Sequence, residues 1–97
     1  MEKGLHSTAV EHFFDAVLSL ENKEECLQFF EDVCTVKEVI AIAQRVEVAK
    51  MLREEKTYLD IAKETGASTA TISRVNRSLN YGNGAIDMVL ERIKNDR

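Results

Sequence analysis

The sequence predicts an all-α fold of six helices, the fourth and fifth of which form a helix-turn-helix. Three observations carry this. The 97 residues contain no proline and only four glycines, which favours uninterrupted helices over turn-rich β structure. Apolar residues recur at i, i+3, i+4 and i+7 through most of the sequence, the period of a helix with one covered face. Cap-type residues stand directly before these runs: Ser7, Asn22, Thr35, Thr57 and Ser68.

The elements follow in order. Ser7 to Leu20 is an amphipathic helix with Val10, Phe13, Phe14, Val17 and Leu18 on one face. Asn22 followed by Glu25 is box-like and starts a second helix, where Cys26, Leu27, Phe29, Phe30 and Val33 supply apolar contacts. Thr35 followed by Glu38 is another capping box, opening a long helix to about Arg53. Its stripe is Val36, Val39, Ile40, Ala43, Val46 and Leu52, widened by Ile42, Val48, Ala49 and Met51. A helix apolar over most of its circumference needs cover on several sides. So short a protein has few elements to provide it, and a homodimer with a shared core is expected. Glu54-Glu55-Lys56 breaks the helix. Thr57, with Asp60 three residues on, and Ser68 cap the next two. Tyr81-Gly82-Asn83-Gly84 is the strongest breaker. A last helix carries Ile86, Val89, Leu90 and Ile93, with fraying expected past Asn95.

Residues 57 to 79 carry the helix-turn-helix. Ala62 stands four residues before Gly66, Ile72 six after it, and Val75 three further on. Two short helices crossing steeply leave room only for a small residue at the contact, which Ala62 supplies. The turn needs a positive φ, which glycine adopts at low cost. Ile72 and Val75 pin the second helix to the first, and Ile61 and Leu79 extend the seam. This geometry points to a DNA reader rather than an enzyme.

The charge distribution fits that assignment only in part. The overall net charge is −4. Residues 1 to 43 hold three Lys against nine Asp/Glu, a net of −6, while residues 44 to 80 hold seven Lys/Arg against five Asp/Glu, a net of +2. The expected reading head is mildly basic, so weak affinity for random DNA is expected. A major-groove helix reads bases with its N-terminal, outward residues. Thr69, Ala70 and Ser73 lie opposite Ile72 and Leu79 and are the base-contact candidates. Their small groups leave part of the specificity to water and DNA shape. Lys56, Tyr58, Lys63, Thr71, Arg74 and Arg77 are the phosphate-contact candidates, setting affinity and register.

Other classes find little support. No apolar run approaches the roughly 18 residues of a membrane span, and no signal peptide is evident. Cys26 and Cys34 are expected to be free, reduced thiols in a cytoplasmic protein. Neither their spacing nor that of His6 and His12 resembles a zinc module, so no metal is expected. No phosphate-binding glycine loop follows a strand, and the carboxylates have no apolar setting to raise their pKa. No cofactor and no catalysis are expected.

Several of these residues coincide with a known family. The six-helix order, Gln44-Arg45-Val46, Thr71-Ile72-Ser73-Arg74 and Ser78-Leu79 resemble the Trp repressor superfamily, and more narrowly its YerC/YecD branch. The resemblance covers residues 8 to 95 and is most specific from Thr35 to Leu79. It implies an intertwined homodimer with two heads on half-sites about 34–36 Å apart. It also implies an effector pocket: the positions that hold the amino acid in Trp repressor match Thr35, Arg45, Arg74 and Ser78. One position departs. Val75 stands where the family pocket has a glycine, and its methyl groups would occupy space the indole needs. Asp32 and Cys34 replace apolar residues nearby. Tryptophan is therefore not the expected ligand; another small effector, or none, stays open. The expected function is a DNA-binding transcription regulator, of repressor type, acting on duplex DNA as a homodimer. The alternative, favoured by the acidic N-terminal third, is a helical protein-interaction module without DNA binding.

Overall fold

The computed structural model describes residues 4–95. In it six α-helices follow one another: α1 (Thr8–Leu18), α2 (Lys23–Val33), α3 (Val36–Arg53), α4 (Tyr58–Thr65), α5 (Thr69–Tyr81) and α6 (Ala85–Asn95). The fraying expected past Asn95 lies outside the described residues. The protein divides into two compact units, Met1–Val39 and Ile40–Arg97, with α3 starting in the first and continuing into the second.

In the first unit each helix begins at its expected cap. Ser7 Oγ accepts from the Val10 N–H at 3.3 Å and Asn22 Oδ1 from the Glu25 N–H at 2.8 Å. At α3 the box is complete: Thr35 Oγ1 accepts from the Glu38 N–H at 3.1 Å, and Glu38 Oε1 accepts from the Thr35 N–H at 2.7 Å. These bonds, the backbone one first, hold the Glu38 carboxyl below the usual carboxylate range. Around Asn22 the returning arm is shifted by one residue, Glu25 Oε1 accepting from the Glu21 N–H at 2.9 Å.

α1 ends at Leu18, two residues before the expected Leu20. Ser19 causes the early stop: its N–H and its hydroxyl both donate to Ala16 O, at 3.1 and 2.6 Å, tightening the last turn. α1 and α2 share an aromatic cluster. The Phe13 ring lies 5.2, 6.4 and 6.3 Å from those of Phe14, Phe29 and Phe30. Even so, no apolar residue described in this unit is fully buried, and Leu27 and Val33, expected to supply contacts, are more than half exposed.

The second unit has a core. Val48, Ala49 and Met51 from α3 meet Ile61 from α4, Ala67 from the turn, and Ile72, Val75 and Leu79 from α5; Leu52, Ala62, Ile86 and Leu90 pack against them. The buried face of α3 therefore differs from the expected stripe. Val48, Ala49 and Met51 turn inward, whereas Val36, Ile40 and Val46 are exposed. Periodicity cannot tell these faces apart, because α3 is apolar nearly all round.

Two left-handed residues flank α4. α3 stops with the Lys56 N–H on Met51 O and the Glu55 N–H on Leu52 O, at 3.1 and 3.0 Å, a paired C-terminal cap that places Glu55 at φ 62°. α4 stops at Gly66, φ 75°, whose N–H donates to Ala62 O at 2.9 Å. A methyl group on Gly66 would meet nothing closer than Gln44 Nε2 at 4.0 Å, so its cost is purely conformational. Opposite outcomes are expected. Gly66→Ala should destabilise by roughly 1–2 kcal/mol and Glu55→Gly should stabilise by roughly 1 kcal/mol in chemical denaturation. Equal effects of both substitutions would refute the conformational account.

Candidate nucleic-acid interface

The head is built by short-range caps and held by two long-range straps. Thr57 Oγ1 accepts from the Asp60 N–H at 3.1 Å and starts α4. Thr65 closes the turn: its hydroxyl donates to Ile61 O at 2.7 Å and accepts from the Ala67 N–H at 3.1 Å. Ser68 Oγ then accepts from the Thr71 N–H at 3.1 Å and starts α5.

The straps come from α3. Gln44 Nε2 donates to Thr65 O at 3.1 Å, fixing the turn. Arg53 Nη2 donates to Leu79 O at 3.2 Å, fixing the C-terminal half of α5. The same guanidinium meets Asp87 of α6 in a fork, Nε to Oδ1 and Nη2 to Oδ2, each at 2.8 Å. Sequence reasoning missed Gln44, Arg53 and Asp87 as head-positioning residues. Their partners lie 21 to 34 residues away, and no local pattern announces them.

The fork holds the Asp87 carboxyl below its usual range, mostly through the Arg53 hydrogen bond, and raises Arg53 in turn. Asp87 is a carboxylate whose pKa falls on folding. Its stabilising effect is therefore present above the ordinary carboxylate pKa and is lost as pH drops through the lowered value. Protection of the Met88 amide, bonded to Gly84 O at 3.1 Å, against hydrogen exchange relative to its intrinsic rate should fall in that acid range. Asp87→Asn should flatten the response; an unchanged acid profile would show that the fork does not anchor α6.

α5 presents two unlike faces. Ile72, Val75 and Leu79 are buried, while Thr69, Ala70, Ser73, Arg74, Arg77 and Ser78 are exposed. The three base-contact candidates thus sit together on the outer side of the first turn and a half. Among the phosphate-contact candidates, Lys56, Tyr58, Lys63, Arg74 and Arg77 are exposed. Among the described residues no ion pair occupies Lys56, Lys63, Arg74 or Arg77. Thr71 differs: it is half-buried and its hydroxyl lies 3.1 Å from Ser68 Oγ, so the α5 cap already engages it.

The effector-pocket candidates are less alike. Arg45, Arg74 and Ser78 are exposed, Val75 belongs to the core, and Thr35 is committed to the α3 capping box in the first unit. The second unit does contain an open cleft of about 1040 Å³ between α3 and α6, with Val46, Met88, Leu90 and Ile93 among its lining residues. Arg74, Val75 and Ser78 do not line it.

A small all-α protein whose second motif helix buries one face and presents the other is a helix-turn-helix protein. The particular family follows from its relatives. The Trp repressor protein family matches residues 8–94, and the chain belongs to that family. It is 56% identical over 90 residues to YerC of Bacillus subtilis (strain 168), covering 93% of this chain and 86% of YerC. A TrpR-like protein from Eubacterium eligens superposes with a TM-score of 0.90 at 63% identity, covering 93% of each protein. A candidate Trp repressor from Staphylococcus aureus superposes with a TM-score of 0.89 at 54% identity, covering 93% of this chain and 90% of that one. The six-helix Trp-repressor-like fold expected from sequence is the fold observed.

Proposed function

We propose that the protein is a cytoplasmic transcription regulator, not an enzyme, that binds duplex DNA as a homodimer and acts as a repressor. The observation that carries this is the two-faced α5. Its buried Ile72, Val75 and Leu79 fix the helix, and its exposed Thr69, Ala70 and Ser73 form a small-residue surface that fits a major groove. Lys56, Lys63, Arg74 and Arg77, outside any ion pair among the described residues, are available for phosphates. Exposed Phe14 and Leu18 in the first unit, and Val46, Met88 and Ile93 exposed along the charge-rimmed cleft between α3 and α6 in the second, support a second copy as the missing cover. Names of the similar structures, a TrpR-like protein and a candidate Trp repressor, point the same way. No described helix is long and apolar enough to cross a membrane.

Selection from sheared genomic DNA tests the proposal. Purified protein should enrich a few fragments sharing a twofold-related sequence. A dimer that enriches none would favour the alternative, a protein-interaction module. One observation speaks for that alternative: Leu59, on α4, is 80% exposed.

Tryptophan is not required in this proposal. Val75 is drawn into the core where the family pocket needs bare backbone. Millimolar tryptophan should therefore leave the thermal midpoint unchanged, since only a ligand that binds the native state raises it. A clear upshift would overturn the Val75 argument.

A further inference from the structure

We propose that Asn83 is a site of spontaneous amide loss in the folded protein, at the hinge between α5 and α6. Among the five asparagines of the sequence, only Asn83 is followed by glycine. It is exposed and lies outside both helices. Gly84 sits at φ +83°, and apart from its chain neighbours no atom lies within 4 Å of where a Cβ would stand, so the residue is open on its Cα side. Among the described residues the Gly84 N–H makes no backbone hydrogen bond. Asn83 Oδ1 accepts from the Ala85 N–H at 3.1 Å, in the first turn of α6. That donor, with the positive end of the helix behind it, stabilises charge developing on Oδ1 when the neighbouring nitrogen adds to Cγ.

The step balances without any redox change. The Gly84 nitrogen gives its proton to solvent and bonds to Asn83 Cγ. The bond from Cγ to Nδ2 breaks, Nδ2 takes a proton back from solvent, and the nitrogen leaves as ammonia. The product is a five-membered succinimide. Water then opens it at one of two carbonyls. Breaking the bond to Cγ leaves aspartate at position 83. Breaking the bond to the backbone carbonyl carbon leaves isoaspartate, with the backbone one methylene longer. Asn22, Asn76, Asn80 and Asn95 precede Lys23, Arg77, Tyr81 and Asp96, residue types that carry a Cβ and react far more slowly at this step than glycine.

The position gives the modification a consequence. Arg53 spans this loop, holding Leu79 O on the α5 side and the Asp87 carboxylate on the α6 side. Aspartate at position 83 keeps an acceptor for the Ala85 N–H. Isoaspartate lengthens the backbone between two anchors held by one guanidinium, and one of them must give.

The test ages the intact protein in mildly alkaline buffer and maps products by fragmentation that separates aspartate from isoaspartate. Both products should accumulate at position 83, isoaspartate in excess, at a rate within about tenfold of that in the protein unfolded in guanidinium. Asn22 should stay intact. Asn83→Ser, which keeps an acceptor, should not age, and Gly84→Ala should age more slowly. Protection of Asn83 in the folded protein by more than about tenfold would overturn the proposal, and so would a product free of isoaspartate. In the isoaspartate fraction the Gly82 and Met88 amides should exchange faster. Equal exchange in both fractions would remove the hinge consequence.

Discussion

Ile72→Ala is expected to cost about 2–5 kcal/mol of folding stability, among the largest effects of truncation in the head. Ile72 is fully buried, on the inner face of α5, within the cluster that also holds Ile61 and Val48. Truncation removes buried methyl and methylene groups and leaves a cavity that helices pinned by caps and straps cannot close. Domains of this size are stable by only about 5–15 kcal/mol, so the loss is a large fraction of the whole. Urea denaturation at several protein concentrations is the appropriate measurement, because association adds to apparent stability. Ile61→Ala should behave similarly. The double variant should depart from the sum of the two single losses, since both residues belong to one cluster. Leu59→Ala, on the exposed side of α4, should stay within roughly 0.5 kcal/mol of the parent. An Ile72→Ala protein as stable as the Leu59→Ala protein would mean that the core is not where it is described.

Arg77→Ala is expected to weaken binding to every duplex and to reduce the salt dependence of binding. Arg77 is exposed on α5 and no ion pair holds it among the described residues. A phosphate contact releases condensed counterions, so losing one should lower the slope of log K against log salt by about 0.9. Arg77→Lys should keep most of the slope. Ser73→Ala should do the converse, altering preference between sequences while leaving the slope alone. If the slope of the Arg77→Ala protein equals that of the parent, Arg77 does not face a phosphate. Fluorescence anisotropy across a salt series separates the two behaviours.

Local features of the fold are legible in the sequence, and long-range ones are not. Ser7, Asn22, Thr35, Thr57 and Ser68 each accept the hydrogen bond expected of a cap, because a cap and its partner lie three residues apart. Gly66 announces the turn for the same reason: one residue's φ decides it. The end of α1 is harder to read, because Ser19 looks like helix surface until its hydroxyl is seen to donate to Ala16 O. The inward face of α3 is hidden by a pattern apolar on all sides. The anchors of the candidate site are invisible, since nothing about Arg53 reveals that Leu79 and Asp87 are its partners. The outward residues of α5 can be named in advance because Ile72, Val75 and Leu79 fix which side faces in.

Both straps from α3 end on backbone carbonyls, Gln44 on Thr65 O and Arg53 on Leu79 O. Every residue type has that carbonyl, so the grip does not depend on the identities of Thr69, Ala70 or Ser73. These positions can be randomised together without loosening the scaffold that holds them. If α5 reads duplex DNA as proposed, libraries built there, with the two straps left untouched, would be a route to new duplex sequences.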